Sequence, residues 1–370
     1  LDSSTIVSLM QAQSNIPVKT FTIGFEEKAY NEADHAKAVA KHLGTDHTEL
    51  YVSPQEAMSV IPELPTIYDE PFSDSSQIPT FLVSKLARQH VTVSLSGDAG
   101  DELFCGYNRY MLTDSLWNKL SHIPVPLRRL IASCITSVPV HWWNKIINPF
   151  SNILPRALRQ SNFGDKLHKS AGVVDAKNVD DLYLGLVSHW NDPASIVLGC
   201  EKEPLTLLTG NSCSLESLDR VQRMMALDLV TYLPDDILVK VDRAAMNVSL
   251  ETRVPFLDHR IVEFAWRLPK DMKLRHGQSK WILRQVLHKY VPERVFDRPK
   301  VGFGIPLQNW LKGELRGWAE DLLDESKMKQ EGFFDHSCVR EKWEQHIKGY
   351  RNWSYSLWDI LMFQAWLREQ

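Results

Sequence analysis

The 370-residue chain predicts an α/β fold, a parallel sheet with flanking helices, followed by a mostly helical region. Two observations carry that reading. Apolar, β-branched runs alternate with amphipathic helical periods through the first hundred residues. Strands joined through helices run parallel, with right-handed crossovers. Beyond about Tyr110 the strand texture gives way to helical periods, interrupted by "HIPVPLRRL", "SVPVHWWNKIINPFSNILP" and "GNSCSLES".

The elements follow in order. Ile6, Leu9 and Met10 recur at helical spacing behind Asp2, Ser3 and Ser4, residue types that suit a helix start. "VKTFTIGF" reads as a buried strand. "NEADHAKAVAKHLG" reads as a helix with Asn31 as its N-cap and Gly44 as its stop. "DHTELYVS" is a strand, "PQEAMSVIPEL" a short helix opened by Pro54, "IPTFLVSKLARQH" another helix, and "VTVSLSG" a third strand. We expect a nucleotide-binding α/β core over residues 1–115, lacking a first strand that precedes Leu1. Residues 116–370 are expected to be mostly helical and to complete the substrate site, with loops over 140–160 and 200–215.

Composition excludes several classes of function. Lys and Arg total 42 against 46 Asp and Glu, a net charge of −4, so no global charge recruits nucleic acid or an acidic membrane surface. No apolar run approaches the roughly 20 residues that span a bilayer. Five widely spaced cysteines without a C-x-x-C arrangement argue against a disulfide framework or a zinc site and fit a reducing cytoplasm.

In a parallel α/β sheet, ligands lie at the carboxyl ends of the strands. Two loops are singled out on that ground. "SLSGDAGDELFCGYNRY" packs Ser96, Gly97, Asp98, Gly100, Asp101 and Glu102 at a strand end. Glycines let backbone N–H groups approach a phosphate, and carboxylates in the same place make sense as Mg²⁺ ligands between protein and phosphate. The plain alternative is an acidic first turn complementing the helix dipole. Asp2-Ser3-Ser4 is equally open to reading as a cap, but both corners fall at strand ends of one sheet, where Asp2 and Asp101 could share a metal.

Further along, "YLPDDILVKVDRAAM" sets Asp235, Asp236, Lys240, Asp242 and Arg243 in an apolar helical run. Such charges either line a cleft or form an internal ion-pair network. Arg253 in "LETRVPFLDHR" reads as a structural clamp, and His259 beside Asp258 as an ordinary histidine.

These stretches resemble the asparagine synthetases. "LDSS" is similar to the second half of the S-G-G-x-D-S pyrophosphate loop of the N-type ATP pyrophosphatases. "SGDAGDELFCGY" resembles the S-G-[ED]-x-x-D-E-x-F-G-G-Y loop of the synthetase domain, and "YLPDDILVKVDRAAMNVSLETRVPFLDHR" and "RPKVGFGIPLQNWL" resemble its later segments in the same order. The resemblance covers nearly the whole chain and implies an adenine-nucleotide α-hydrolase-like, PP-loop fold. It implies a ligase that adenylates the side-chain carboxylate of aspartate with ATP, releases pyrophosphate, and lets ammonia displace AMP to give asparagine.

Carried over by position, the resemblance gives Asp2 and Asp101 to Mg²⁺ and pyrophosphate, and Ser3, Ser96 and Gly97 to ATP. Ile23 would meet adenine, Asp98 would serve formation of the acyl-adenylate, and Lys300 would contact the phosphates. Asp69, Glu70 and Asp74 in "DEPFSDSS" border the substrate or magnesium site, with Asp236, Asp242 and Arg243 as further cleft candidates. One family glycine is replaced by Cys105, which fits only if its φ stays negative.

The resemblance also calls for an N-terminal glutaminase domain and for the Ser-Gly-Gly of the phosphate loop. Neither is within these 370 residues, so this stretch alone is expected to bind ATP poorly or not at all and to be inactive by itself. The expected partners are aspartate or another small carboxylate, ammonia from that glutaminase domain, and a second copy of the chain in a homodimer. Two alternatives stay open: a relative acting on another carboxylate, such as a sugar acid of a surface polysaccharide, a peptide or a β-lactam precursor, and a non-catalytic binding module.

Overall fold

The computed structural model describes residues 1–25, 32–147, 163–210, 215–296 and 304–370. The chain forms two compact units. The first contains Leu1–Tyr107, Met225–Pro306 and Ala365–Gln370; the second contains Asn108–Met224 and Leu307–Gln364.

In the first unit, α1 (Asp2–Ala12) is followed by β1 (Lys19–Phe25), α2 (Ala33–Leu43) and β2 (Asp46–Val52). β1 and β2 pair in parallel, from Lys19 opposite Asp46 to Phe25 opposite Val52. Burial deepens along β1 toward its carboxyl end, where Ile23 and Phe25 are enclosed. Gly44 ends α2 at φ 72°, a left-handed stop that only glycine adopts without steric cost. Asn31, the expected cap of α2, lies outside the described residues.

Ser53 opens α3 (Pro54–Ser59) with a reciprocal capping box to Glu56. α4 (Leu64–Tyr68) and α5 (Gln77–Arg88) follow, and then β3 (Val93–Leu95). α1 contradicts the capping expectation: Leu1 is its N-cap and no side chain caps it, which leaves the Asp2 carboxylate available for other contacts.

The strands depart from one continuous parallel sheet. β3 is only three residues long and pairs in parallel with β4 (Glu251–Arg253), while β1 pairs with β2. Among the described residues the strands form three separate two-stranded sheets. The α/β character and the parallel pairing stand, but helices dominate the unit. β4 comes from "SLETRV", which the sequence reading left in the helical region; its pairing depends on a distant segment and leaves no local period.

The core of this unit joins Ile6 of α1 with Leu103, Phe104, Leu233, Phe256 and Leu283. The helix Val239–Asn247 packs on α5, with Ala245 and Leu250 against Ala87 and Phe21.

The second unit is helical. Val173, Ala176 and Leu182 form one of its cores, covered by Leu116, Trp117 and Leu186. The expected loop over 140–160 is overturned at its start, because Val140–Ile147 is a helix. Val140, Trp143 and Ile147 recur at helical spacing behind Pro139, whose carbonyl accepts from the Trp142 N–H. The rest of that stretch lies outside the described residues. Residues 200–210 have no regular element, as expected.

Candidate active site

Two loops of the first unit meet, and glycines allow the approach. A Cβ on Gly97 would lie 2.6 Å from the backbone nitrogen of Ser3, and one on Gly100 would lie 2.7 Å from Oδ1 of Asp2. The loop after β3 therefore presses on the first turn of α1. Ala99 takes φ 65°, a left-handed turn that opens the short helix α6 (Gly100–Leu103).

Lys280 joins the two corners. Its buried ammonium pairs with Oδ2 of Asp2 and lies 2.9 Å from Oδ1 of Asp101. Burial alone would lower the lysine pKa; the two carboxylates outweigh it and hold the ammonium above its ordinary range. Lys280 itself sits at φ 54° and caps the helix Trp281–His288, with its N–H donating to the Phe104 carbonyl. The sequence reading missed it. The available signal was a lysine immediately ahead of an apolar helix, where Ser, Thr, Asp or Asn would ordinarily cap.

Gly106 closes this corner. A Cβ there would lie 2.0 Å from Cε of Lys280 and 2.1 Å from Oδ1 of Asp101. Its neighbour Cys105 is buried at φ 58°, so the expectation of a negative φ is overturned. The thiol residue accepts a left-handed conformation at a cost of about 1–2 kcal/mol. Ala99, Cys105 and Lys280 are three non-glycine residues of positive φ around one corner, the kind of clustering found where function fixes the backbone.

Asp98 is half-buried in the same loop. Burial raises its carboxyl above the usual range; the Ser96 hydroxyl and the charge of Lys240 oppose that rise, and Asp2 and Asp101 add to it. Buried Glu102 accepts from the Tyr107 hydroxyl at 2.9 Å, and burial pushes its carboxyl up to about 7. The Ser96 N–H donates to the carbonyl of Arg253, which ties the loop to β4.

Lys240 forms a second centre. Its ammonium donates to Oδ2 of Asp74 at 2.5 Å and lies 3.9 Å from Oδ1 of Asp236. Burial would raise the Asp74 carboxyl, but Lys240 and the N–H and O–H of Ser76 hold it below the ordinary range. The buried Tyr68 hydroxyl donates to the Lys240 carbonyl at 3.3 Å.

The expected site residues thus separate into groups. Asp2, Gly97, Asp98 and Asp101 come together, with Ser3 exposed at the rim and Ser96 anchored to β4. Asp74 and Asp236 meet on Lys240, and the charge of Lys240 reaches Asp98. Ile23 is enclosed at the carboxyl end of β1. Asp69, at φ 57°, and Glu70 are exposed, as are Asp242 and Arg243. Lys300 lies outside the described residues.

The donor set of the first corner fits a hard divalent cation. Two carboxylates face each other there, and Oδ1 of Asp2 is buried with no hydrogen-bond partner, although a carboxylate oxygen is an acceptor that needs one. Oδ2 of Asp2 and Oδ1 of Asp101 are paired with Lys280.

No helix among the described residues is long and apolar enough to cross a membrane. Among the described residues, Cys105, Cys134, Cys200 and Cys338 form no disulfide.

Comparison with known proteins shows the family to which the chain belongs. The asparagine synthase family profile matches residues 1–368. Asparagine synthetase [glutamine-hydrolyzing] 1 of Bacillus subtilis is 31% identical over 366 residues, covering 99% of this chain and 54% of that protein. A putative asparagine synthetase [glutamine-hydrolyzing] of Mycobacterium tuberculosis is 33% identical over 368 residues, covering 98% of this chain and 52% of that protein. The amidase chyE of Penicillium rubens is 22% identical over 345 residues, 89% of this chain and 49% of that protein. The chain thus spans about half the length of the curated relatives it matches. With a family match over nearly every residue, the chain belongs to the asparagine synthase family.

Proposed function

We propose that this chain is the synthetase part of an ATP-dependent amide-forming ligase. The reaction is adenylation of the side-chain carboxylate of aspartate, with release of pyrophosphate, followed by attack of ammonia drawn from glutamine to give asparagine and AMP. The observation that carries the reading is the meeting of Asp2 and Asp101 on Lys280 beside Gly97 and Gly100. A site for a departing pyrophosphate needs cationic charge and close backbone: Gly97 and Gly100 leave room for the backbone approach, and Lys280 together with a divalent cation on Asp2 and Asp101 would supply the charge.

Asp2 and Asp101 would hold Mg²⁺, which supplies neutralisation of the phosphate charge when bound. Lys280 fixes the two carboxylates in place and adds its own positive charge to the corner. Asp98, half-buried and drawn toward its protonated form, would stand next to the reacting carboxylate and orient it for attack on the α-phosphate. Lys300 is the further phosphate contact implied by the family resemblance.

The test uses the protein at its natural full length with ATP, Mg²⁺, L-aspartate and ammonia. Asparagine, AMP and pyrophosphate should form in equal amounts; ADP and phosphate would overturn adenylation. Asp101→Ala should lower pyrophosphate release by at least about 10²-fold and leave circular dichroism unchanged. Wild-type turnover in that variant would reject the role of Asp101.

A further inference from the structure

The overall charge of −4 averages over a local exception in the second unit. From Ser115 to Gly164 the sequence holds six Lys and Arg and no Asp or Glu. At the chain's average of 46 acids in 370 residues, a run of that length would hold about six. Among the described residues the run forms the end of α7 (Asn108–Leu120), then α8 (Val125–Ser137) and α9 (Val140–Ile147). Both α8 and α9 pack on α10 (Phe163–Val174).

The polarity of α8 is inverted. Its buried residue is Arg128, which donates to the carbonyl of Ala176 at 2.7 Å and lies over the ring of Trp117. Its outer line is apolar. Leu127, Leu130, Ile131 and Cys134 recur at i, i+3, i+4 and i+7, and all are exposed, Leu130 to 60%. In α9, Trp142 and Ile146 stand four residues apart and are 48% and 51% exposed, with the Lys145 ammonium 5.2 Å from the Trp142 ring centroid. A helix ordinarily turns such a stripe toward a core. Here the inward contacts are otherwise taken: the Trp143 indole N–H donates to the Ile135 carbonyl, and the His168 imidazole donates to the Val138 carbonyl. With Arg128 they hold the stripe outward.

Charge decides what covers such a surface. The exposed cations of the run are Lys119, Arg129 and Lys145, and no acid within it opposes them. A second copy of the same face would bring like charges together, which costs several-fold in affinity. An anionic lipid surface answers both features. Its acyl boundary takes the leucines and isoleucines, its headgroups take Arg and Lys, and an amphipathic indole beside a cation suits the level between them.

We propose that the exposed faces of α8 and α9 dock on an anionic lipid bilayer, with Leu127, Leu130, Ile131 and Ile146 entering below the headgroups and Arg129 and Lys145 against lipid phosphates. The association is peripheral and reversible, because two short helices bury few side chains. It is independent of the adenylation reading, since none of these residues belongs to the acidic corner.

The experiment is flotation of the full-length protein with vesicles of phosphatidylglycerol and with vesicles of phosphatidylcholine, at low and at high ionic strength. The protein should float with phosphatidylglycerol, stay behind with phosphatidylcholine, and be released in part by salt. Leu130→Asp should lower partitioning onto phosphatidylglycerol by at least about 10-fold. Arg129→Glu should lower it on the order of 10-fold, and Arg129→Lys should keep it. Leu130→Asp and Arg129→Glu should leave synthetase activity in solution and the denaturant midpoint unchanged, since both side chains are exposed. A wild type that stays out of the phosphatidylglycerol fraction, or binding that neither variant weakens, would overturn the proposal. So would a dimer in sedimentation that Leu130→Asp dissociates, which would give the face to a second copy. A midpoint lowered by Leu130→Asp would show the chain's own residues covering the stripe, and would overturn it as well.

Discussion

Lys280 Nζ lies 2.9 Å from Asp101 Oδ1, and through its second ion pair, with Asp2, one buried ammonium holds two loops from opposite ends of the first hundred residues. Removing one member of a buried charge network leaves the others uncompensated, at a cost of about 3–5 kcal/mol. Lys280→Met should therefore destabilise the protein by that order. The two freed carboxylates are then a stronger divalent site than in the wild type, because no ammonium competes for them. Thermal unfolding with and without Mg²⁺ should show a larger stabilisation by Mg²⁺ in Lys280→Met than in the wild type. An equal shift in both proteins would remove Asp2 and Asp101 as the cation ligands.

Two neighbouring positions should respond unequally. Gly106→Ala drives a methyl group to within 2.0 Å of Cε of Lys280, so the lysine or Asp101 must move. A loss on the order of 3 kcal/mol is expected from overpacking, read as a lower denaturant midpoint. Cys105→Gly, by contrast, relieves a left-handed φ of 58° but forfeits a small buried side chain and adds chain entropy to the unfolded state. Those contributions nearly cancel, and stability should stay within about 1 kcal/mol of the wild type. A Gly106→Ala protein as stable as Cys105→Gly would mean that the corner is looser than these contacts.

Much of this corner was legible in the sequence for an identifiable reason. Asp101 sits where a run of strand texture ends and a helix begins, Asp2 opens a helix expected to follow a strand that precedes Leu1, and strand ends converge in a parallel α/β fold. The order of elements from α1 to β3, apart from the unread α4, was readable because each has its own period and its own stop, such as Gly44. Lys280 and Lys240 were harder. A buried lysine has no local signature; what makes it buried is the arrival of carboxylates from distant segments, Asp2 and Asp101 in one case and Asp74 in the other. The pairing of β3 with β4 was hidden for the same reason. Cys105 misled because a motif reports which residue type is usual, whereas the φ of 58° is set by the packing of Gly106 against Lys280.

The second unit carries its own pH response in His346. The imidazole is fully enclosed, stacks on Trp343 with ring centroids 6.3 Å apart, and accepts the Trp353 N–H at Nδ1 at 3.2 Å. Burial first, and then the charge of Lys312, push its pKa down to about 4, from 6.5 for an ordinary histidine. The sign follows from proton uptake. Between pH 6.5 and 4 the unfolded chain takes a proton that the folded chain refuses, so unfolding gains on acidification. The contribution of neutral His346 is present in full above about pH 6.5 and is lost as pH falls through about 4. Protonation also converts Nδ1 from acceptor to donor and breaks the bond from Trp353. Denaturant midpoints of the wild type should fall between pH 7.5 and 4.5, and His346→Gln, which cannot titrate, should flatten that slope even though it is less stable at pH 7.5. Parallel pH profiles for the two proteins would show that acid acts on another group.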